Sequence, residues 1–148
     1  MAKVLIIYHS RTGNTEEMAK AVAEGAESIE GVEVIQKKVA EASVDDFLSC
    51  DAVAFGSPTN FNYMAGALKE FFDQSFPKMR GKVTGKPYVA FVNFMYSGKE
   101  ALDAIENICN AFELKKATDG ATIKGLPSPE ALTKCWDIGN KLAKMAAK

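Results

Sequence analysis

The sequence predicts an α/β protein in which helices cover both faces of an open parallel sheet. Apolar strand-like runs alternate with amphipathic helical runs along the whole chain, and the connections between them are short. The strand-like runs are apolar without alternation, as in residues 4–8, which is typical of strands buried on both faces. With 148 residues the chain has the size of one domain, so we expect residues 1–148 to form a single domain.

Each element has its own signal. The predicted strands are residues 4–8, 32–35, 51–56 and 87–93, followed by a fifth within residues 114–124. A change to helical spacing after Thr15 predicts the first helix, and Ser43 with Asp46 three residues later predicts a short capped helix to Ser49. Three further helices are predicted by apolar stripes that start at Met64, Leu102 and Leu132. Five strand–helix units in a chain of this size favour an open parallel sheet with helices on both faces.

Composition narrows the possible partners. The net charge is −1 with 25% charged residues, so no basic surface for nucleic acid is expected. Apolar runs are too short to span a bilayer and the first strand begins without a signal pattern, so we expect no membrane span and a cytoplasmic protein. Cys50, Cys109 and Cys135 are widely spaced and odd in number, which favours buried small apolar residues over disulfides or metal ligands.

A polar segment separates the first strand from the first helix, where a phosphate-binding loop is expected. Its residues are Ser10, Arg11, Thr12, Gly13, Asn14 and Thr15. The hydroxyl and amide side chains can each donate a hydrogen bond, and Gly13 lets the backbone come close to a ligand. With the unpaired N–H groups of a helix start, these donors indicate a site for a terminal phosphate without a metal ion. An ordinary N-cap turn uses the same residue types and stays open as an alternative, and Arg11 either adds charge or points into solvent.

Two further loops are expected at the same edge, because ligands of open parallel sheets bind beyond the carboxyl ends of the strands. Both are rich in aromatic and amide groups and contain no acid or base. They read Ser57-Pro58-Thr59-Asn60-Phe61-Asn62-Tyr63 and Phe94-Met95-Tyr96-Ser97-Gly98. Such loops suit a flat, neutral heterocycle that stacks on rings and meets amides at its polar edge. In the alternative interpretation, Phe61 and Tyr63 only hold their loop against the fold.

The segment of residues 10–15 resembles the phosphate loop of the flavodoxin family. Two more segments, Gly56-Ser57-Pro58-Thr59 and Met64-Ala65-Gly66-Ala67-Leu68, are similar to the second flavin loop of that family. The resemblance extends over essentially the whole chain, and the fifth strand lacks the insertion of long-chain members, so the chain resembles a short-chain form. It implies a flavodoxin-like three-layer sandwich with a five-stranded sheet in the order 2-1-3-4-5, an order known for flavodoxins and not worked out from these residues.

By the same resemblance the cofactor is FMN, with its phosphate on residues 10–15 and its isoalloxazine ring between residues 58–62 and 94–98. The expected cofactor-binding residues are Ser10, Arg11, Thr12, Gly13, Asn14, Thr15, Pro58, Thr59, Asn60, Phe61, Asn62, Asn93, Phe94, Met95, Tyr96 and Gly98. No catalytic residue and no metal ligand is expected. Family members turn a peptide in the second loop toward the flavin on reduction, and the resemblance places Asn62 at that peptide.

Two functions remain open at this point. The first is a low-potential electron carrier between redox partner proteins, a reductase and an electron acceptor. The second is an FMN-dependent reductase that passes hydride from NAD(P)H to a quinone or a related acceptor, because residues 58–59 and 71–74 also resemble flavodoxin-like NAD(P)H:quinone reductases. The short chain and the lack of a His-Gly-Gly segment after the fourth strand favour the carrier, whereas the near-neutral charge favours the reductase. His9, the only histidine, is expected to support the phosphate loop rather than donate a proton.

Other functions of similar folds need residues that this chain lacks. A receiver domain needs carboxylates after strands one and three, where the chain has His9 and Gly56-Ser57. A small tyrosine phosphatase needs a cysteine in the first loop, and a dinucleotide-binding domain needs three glycines there, where Gly13 stands alone. The segment of residues 81–86 is one residue short of a P-loop and is interpreted as a surface turn.

Overall fold

A computed structural model of the chain describes residues 1–96 and 98–148. In this part of the chain the strands are β1 (Ala2–Tyr8), β2 (Val32–Lys38), β3 (Ala52–Asn60), β4 (Tyr63–Met64), β5 (Pro87–Phe94), β6 (Lys115–Lys116) and β7 (Ala121–Lys124). The helices are α1 (Asn14–Glu27), α2 (Val44–Ser49), α3 (Gly66–Met79), α4 (Glu100–Ala111) and α5 (Pro129–Ala146), with a 3₁₀ turn at Val39–Glu41. The predicted alternation of strands and helices is confirmed.

The sheet is parallel with the order β2-β1-β3-β5-β6, and β7 also pairs with β5. The expected order 2-1-3-4-5 is therefore confirmed for its five positions, but two details differ. The fifth position holds two short strands, β6 and β7, instead of one. Between them, residues 117–120 face only Val89 and Ala90 of β5, so the edge strand cannot pair continuously along this stretch. In addition, β4 forms a short antiparallel hairpin with the end of β3.

Both faces of the sheet are buried, as the apolar strands predicted. Along β1, Leu5 and Ile7 enter one core cluster, while Val4, Ile6 and Tyr8 enter the other. The first cluster lies under α2, α3 and α4 and contains a group of contacting aromatic rings, including Phe47 stacked on Phe112 at 5.5 Å. The second lies under α1 and α5. Side chains that carry chemistry are therefore confined to the edges of the sheet.

Helices α1 and α5 pack backbone against backbone through glycines. A Cβ atom at Gly139 would lie 2.0 Å from the carbonyl oxygen of Val22, and one at Gly25 would lie 1.9 Å from that of Trp136. Neither contact can be relieved by turning a side chain, because each partner atom belongs to the backbone. This contact fixes the position of α1 and hence of the loop that precedes it.

The three cysteines are buried and free, as predicted. Burial raises the pKa of the Cys50 thiol to about 11 and that of Cys135 to about 12, so both are protonated at neutral pH. Among residues 1–96 and 98–148 no group of His, Cys, Asp and Glu side chains could hold a metal ion. Within the same residues no helix is long and apolar enough to cross a membrane.

The glycine contact predicts an unusually costly alanine substitution. Gly139→Ala should lower the free energy of unfolding by about 1–3 kcal/mol, because the added methyl group forces α1 and α5 apart. Gly66→Ala is the matched control, since a Cβ there meets nothing within 4 Å and alanine favours a helix. Urea unfolding of both variants gives the comparison, and equal losses would contradict the proposed contact.

Candidate functional site

A cleft of about 880 Å³ opens at the carboxyl edge of the sheet. It lies where the loops after β1, β3 and β5 meet, because these three strands are neighbours in the sheet. The lining residues are His9, Arg11, Thr59, Asn60, Phe61, Asn62, Tyr63, Met64, Ala65, Gly66, Met95 and Tyr96. All three loops expected at the site therefore contribute to one cleft.

The loop between β1 and α1 is closed by the side chain of Ser10. Its Oγ accepts hydrogen bonds from the N–H of Gly13 at 3.1 Å and from the N–H of Glu16 at 3.2 Å. Gly13 has φ +98°, which a residue with a side chain rarely adopts, and its carbonyl accepts the N–H of Glu17 to begin α1. The N-cap residue of α1 is Gly13, which has no side-chain cap, and the Ser10 hydroxyl accepts the N–H of Glu16 in its place and still has its own proton to donate.

Five backbone donors of this loop, those of residues 10–12, 14 and 15, are left open within the described residues. The N–H groups of Thr12, Asn14 and Thr15 have no acceptor within the described residues, whereas those of Gly13 and Glu16 are taken by Ser10. They stand at the positive end of α1, where an anion is stabilised. The Ser10 hydroxyl therefore supports the start of α1, while the remaining donors of the loop stay available to an anion.

A tyrosine that the sequence analysis did not single out also contacts the loop. The Tyr8 hydroxyl donates to Oε1 of Glu16 at 3.2 Å. Tyr8 is 5% exposed, and its burial and the Glu16 carboxylate raise its pKa, so it keeps its proton and remains a donor at neutral pH. In the sequence Tyr8 looks like one more apolar strand residue, and only its hydroxyl distinguishes it.

The second loop is a hairpin with a strained tip. Phe61 and Asn62 join β3 to β4 with φ values of 50° and 61°, and both angles are positive as in the turns that favour two-residue hairpins. The base of the hairpin is closed by buried Ser57, whose Oγ donates to the carbonyl of Pro58 at 2.7 Å and accepts from the N–H of Ala65 at 2.8 Å. The Phe61 side chain is fully exposed, which excludes the alternative in which it holds the loop against the fold.

The third loop presents Met95 and Tyr96, which are 55% and 101% exposed. Asn93 has a different place from the expected one, because it is buried and its Nδ2 donates to the carbonyls of Ile123 at 3.1 Å and Gly125 at 2.6 Å. Its direction depends on the register between β5 and β7, which the sequence pattern does not reveal. Asn93 therefore holds β7 in place beneath the loop rather than lining the cleft.

Thr59 lines the cleft, and its Oγ1 donates to the carbonyl of Gly98 at 3.3 Å and so joins the second loop to the third. The expected residues that are not among the lining residues, besides Asn93, are residues 10 and 12–15, Pro58, Phe94 and Gly98. Pro58 and Phe94 are half-buried, and Ser97 lies outside the described residues. Conversely, His9 and residues 63–66 line the cleft although they were not among the expected binding residues. The signal for them was their position in the sequence, because His9 directly precedes the first loop and residues 63–66 complete the second.

The charge of the cleft is simple. Among its lining residues Arg11 is the one permanently charged side chain, and none is a carboxylate. The open N–H groups lie in the loop that contains Arg11, so this end of the cleft favours an anionic group, while the exposed rings of Phe61 and Tyr96 favour a flat apolar one. The arrangement fits an elongated ligand with an anionic tail and a ring system.

Comparison with known proteins gives a consistent result. The model of the flavodoxin family matches residues 6–139 of this chain. A flavodoxin of Aquifex aeolicus is 38% identical over 99% of this chain and 88% of that protein. Among solved structures, a flavodoxin from the domain Archaea is 25% identical with a TM-score of 0.89 and covers 99% of both chains. The two-electron reduced flavodoxin of Megasphaera elsdenii is 26% identical with a TM-score of 0.80, over 95% of this chain and 98% of that one.

The strained hairpin tip predicts a stabilising substitution. Phe61→Asn should raise the free energy of unfolding of the ligand-free protein by roughly 1 kcal/mol, because asparagine tolerates positive φ and the exposed ring contributes no burial. Tyr96→Asn is the matched control, since Tyr96 is equally exposed but is not among the residues with positive φ. Thermal and urea unfolding measure the stability of both variants. A higher stability in both variants, or in neither, would contradict the proposal that Phe61 is strained.

Proposed function

This chain belongs to the flavodoxin family and is an FMN-binding electron-transfer protein, and from this premise we propose that the three loops of the cleft hold FMN for low-potential electron transfer between redox proteins. The observation that carries the proposal is the set of open N–H groups around Gly13 next to a cleft rich in exposed aromatic side chains. When bound, FMN supplies the redox chemistry, since its ring accepts and returns electrons. The protein contributes binding, orientation and electrostatics.

The phosphate is proposed to lie on the loop between β1 and α1. The open N–H groups of Thr12, Asn14 and Thr15 would donate to its oxygens, together with the side chains of Thr12 and Asn14 and the free proton of the Ser10 hydroxyl. The dipole of α1 adds to these donors, and Arg11 provides a full positive charge at the entrance of the cleft. These donors and the charge of Arg11 would hold the phosphate without a metal ion.

The ring is proposed to lie between the hairpin of β3 and β4 and the loop after β5. Phe61 and Tyr96 come from different loops and are both fully exposed, so they are free to stack on a flat ligand. Asn60 and Asn62 supply amide groups for its polar edge, and Met95 adds an adaptable apolar contact. Asn62 stays the residue proposed at the peptide that turns on reduction, and its φ of 61° is one that asparagine tolerates.

The similarity to flavodoxins supports a carrier more than a reductase. The lining contains no carboxylate, and the proposed electron transfer needs no acid or base from the protein. The comparisons with flavodoxins of the same length as this chain support the same choice. We propose that the partners are a reductase and an acceptor protein and that transfer takes place in the cytoplasm.

The phosphate placement predicts a selective loss of affinity. Thr12→Ala and Asn14→Ala should each weaken FMN binding by about 1–3 kcal/mol while barely changing the binding of riboflavin, which lacks the phosphate. Thr84→Ala, at an exposed position outside the cleft, should leave both affinities unchanged. Flavin fluorescence titrations measure the dissociation constants, and equal losses for FMN and riboflavin would argue against this phosphate site.

The carrier role predicts dependence on a second protein. FMN-loaded protein should not oxidise NADPH with a quinone by itself, and oxidation should begin once a separate NADPH-dependent flavoprotein reductase is added. Absorbance of NADPH at successive protein concentrations follows the reaction. Turnover without the added reductase, proportional to the concentration of this protein, would support the quinone reductase instead.

A further inference from the structure

Tyr8, Ser10 and Glu16 form a closed frame around the start of α1. The Tyr8 hydroxyl bonds the Glu16 carboxylate, the Glu16 N–H bonds Ser10 Oγ, and Ser10 follows Tyr8 by two residues. We propose that Tyr8 is a positioning residue for the phosphate loop, whose hydroxyl holds the Glu16 carboxylate away from the open N–H groups that a phosphate needs. This inference rests on the proposed function, because it assumes that the loop receives the phosphate of FMN.

The frame replaces an arrangement that would compete with the phosphate. Glu16 is the third residue of α1 after Gly13, and a glutamate at this position commonly turns back to accept the N–H of the N-cap residue. In this structure Ser10 Oγ accepts the N–H of Gly13, and the Tyr8 hydroxyl donates to the Glu16 carboxylate. A carboxylate in the first helical turn is attracted by the same dipole and open donors as a phosphate, so one that is not held can occupy the anion site itself.

Glu17, the other acidic residue in the first turn of α1, has an ion-pair partner of its own outside this frame. Glu17 pairs with Lys20 at 3.5 Å, with both side chains more than half exposed. Both acidic residues in the first turn of α1 therefore have a partner, and of these two partners only Tyr8 is buried. Tyr8 ends β1 in register with Lys38 of β2 and Gly56 of β3, so its ring belongs to the rigid sheet.

The frame explains why a hydroxyl is present at an otherwise apolar position. The ring of Tyr8 packs in the cluster under α1 and α5, where phenylalanine would provide the same contacts. A purely structural role of the hydroxyl would affect folding and both flavins alike. A positioning role affects only ligands that carry a phosphate.

The experiment compares Tyr8→Phe, Glu16→Gln and the double variant for FMN and riboflavin. Tyr8→Phe should weaken FMN about tenfold and change riboflavin by less than about twofold. Glu16→Gln should bind FMN at least as well as the original chain, because the amide oxygen still accepts from Tyr8 and carries no charge. The double variant should recover the FMN affinity of Glu16→Gln, since no carboxylate remains to compete.

Tyr88→Phe is the matched control, because Tyr88 is also buried but lies at the start of β5, at the edge of the sheet away from the cleft. This substitution should change neither the FMN affinity nor the riboflavin affinity. Binding of inorganic phosphate to the FMN-free protein, measured by calorimetry, should follow the same order of variants. If Tyr8→Phe does not fold, Glu16→Asp is used in its place. Its shorter carboxylate cannot keep the Tyr8 contact, and it should show the same loss for FMN alone.

The outcomes separate the two proposals. Suppose that the original chain binds FMN more tightly than riboflavin, so that the phosphate site stands. If Tyr8→Phe then keeps this preference, or weakens the binding of both flavins by the same factor, the positioning role is overturned. A double variant that stays as weak as Tyr8→Phe also overturns the positioning role. If the original chain binds FMN no more tightly than riboflavin, the phosphate site fails and the positioning role falls with it.

Discussion

Burial of the sheet on both faces is the constraint on which the rest of the structure depends. Two separate apolar clusters fill the space between the strands and the helices, so neither face has room for a polar ligand. In a parallel sheet every strand also ends at the same edge, which collects the loops after β1, β3 and β5. The position of the cleft is therefore a consequence of how the core is packed.

The loops at that edge differ in how they are held, and the difference matches their proposed roles. The loop between β1 and α1 is fixed by Ser10 and by the glycine contacts that anchor α1 against α5. A rigid loop suits a phosphate, whose binding depends on several donors being in place at once. The hairpin tip at Phe61 is instead strained and exposed, as expected of a segment whose favourable contacts come from a ligand.

The sequence was sufficient for the features that depend on local pattern. Continuous apolar strands predicted the buried parallel sheet, and Ser43 with Asp46 predicted the capping box that begins α2. Features that depend on register or on partners distant in the sequence could not be predicted in this way. Contacts with neighbouring elements determine three such features. Pairing with β5 divides the edge strand, β7 sets the inward direction of Asn93, and α1 provides the partner of the Tyr8 hydroxyl. Positive φ at Phe61 also has no signal in the residue type.

The central claim is that the backbone of the loop between β1 and α1 binds the phosphate of FMN. Its most direct test is a nitrogen-15 NMR titration of the FMN-free protein with FMN and, separately, with riboflavin. We expect the amide proton signals of Thr12, Asn14 and Thr15 to move strongly downfield with FMN, as new hydrogen bonds to the phosphate form, and to stay in place with riboflavin. The amide signals of Gly13 and Glu16, already bonded to Ser10, should move less. The same shifts with both flavins, or none with FMN, would contradict the claim.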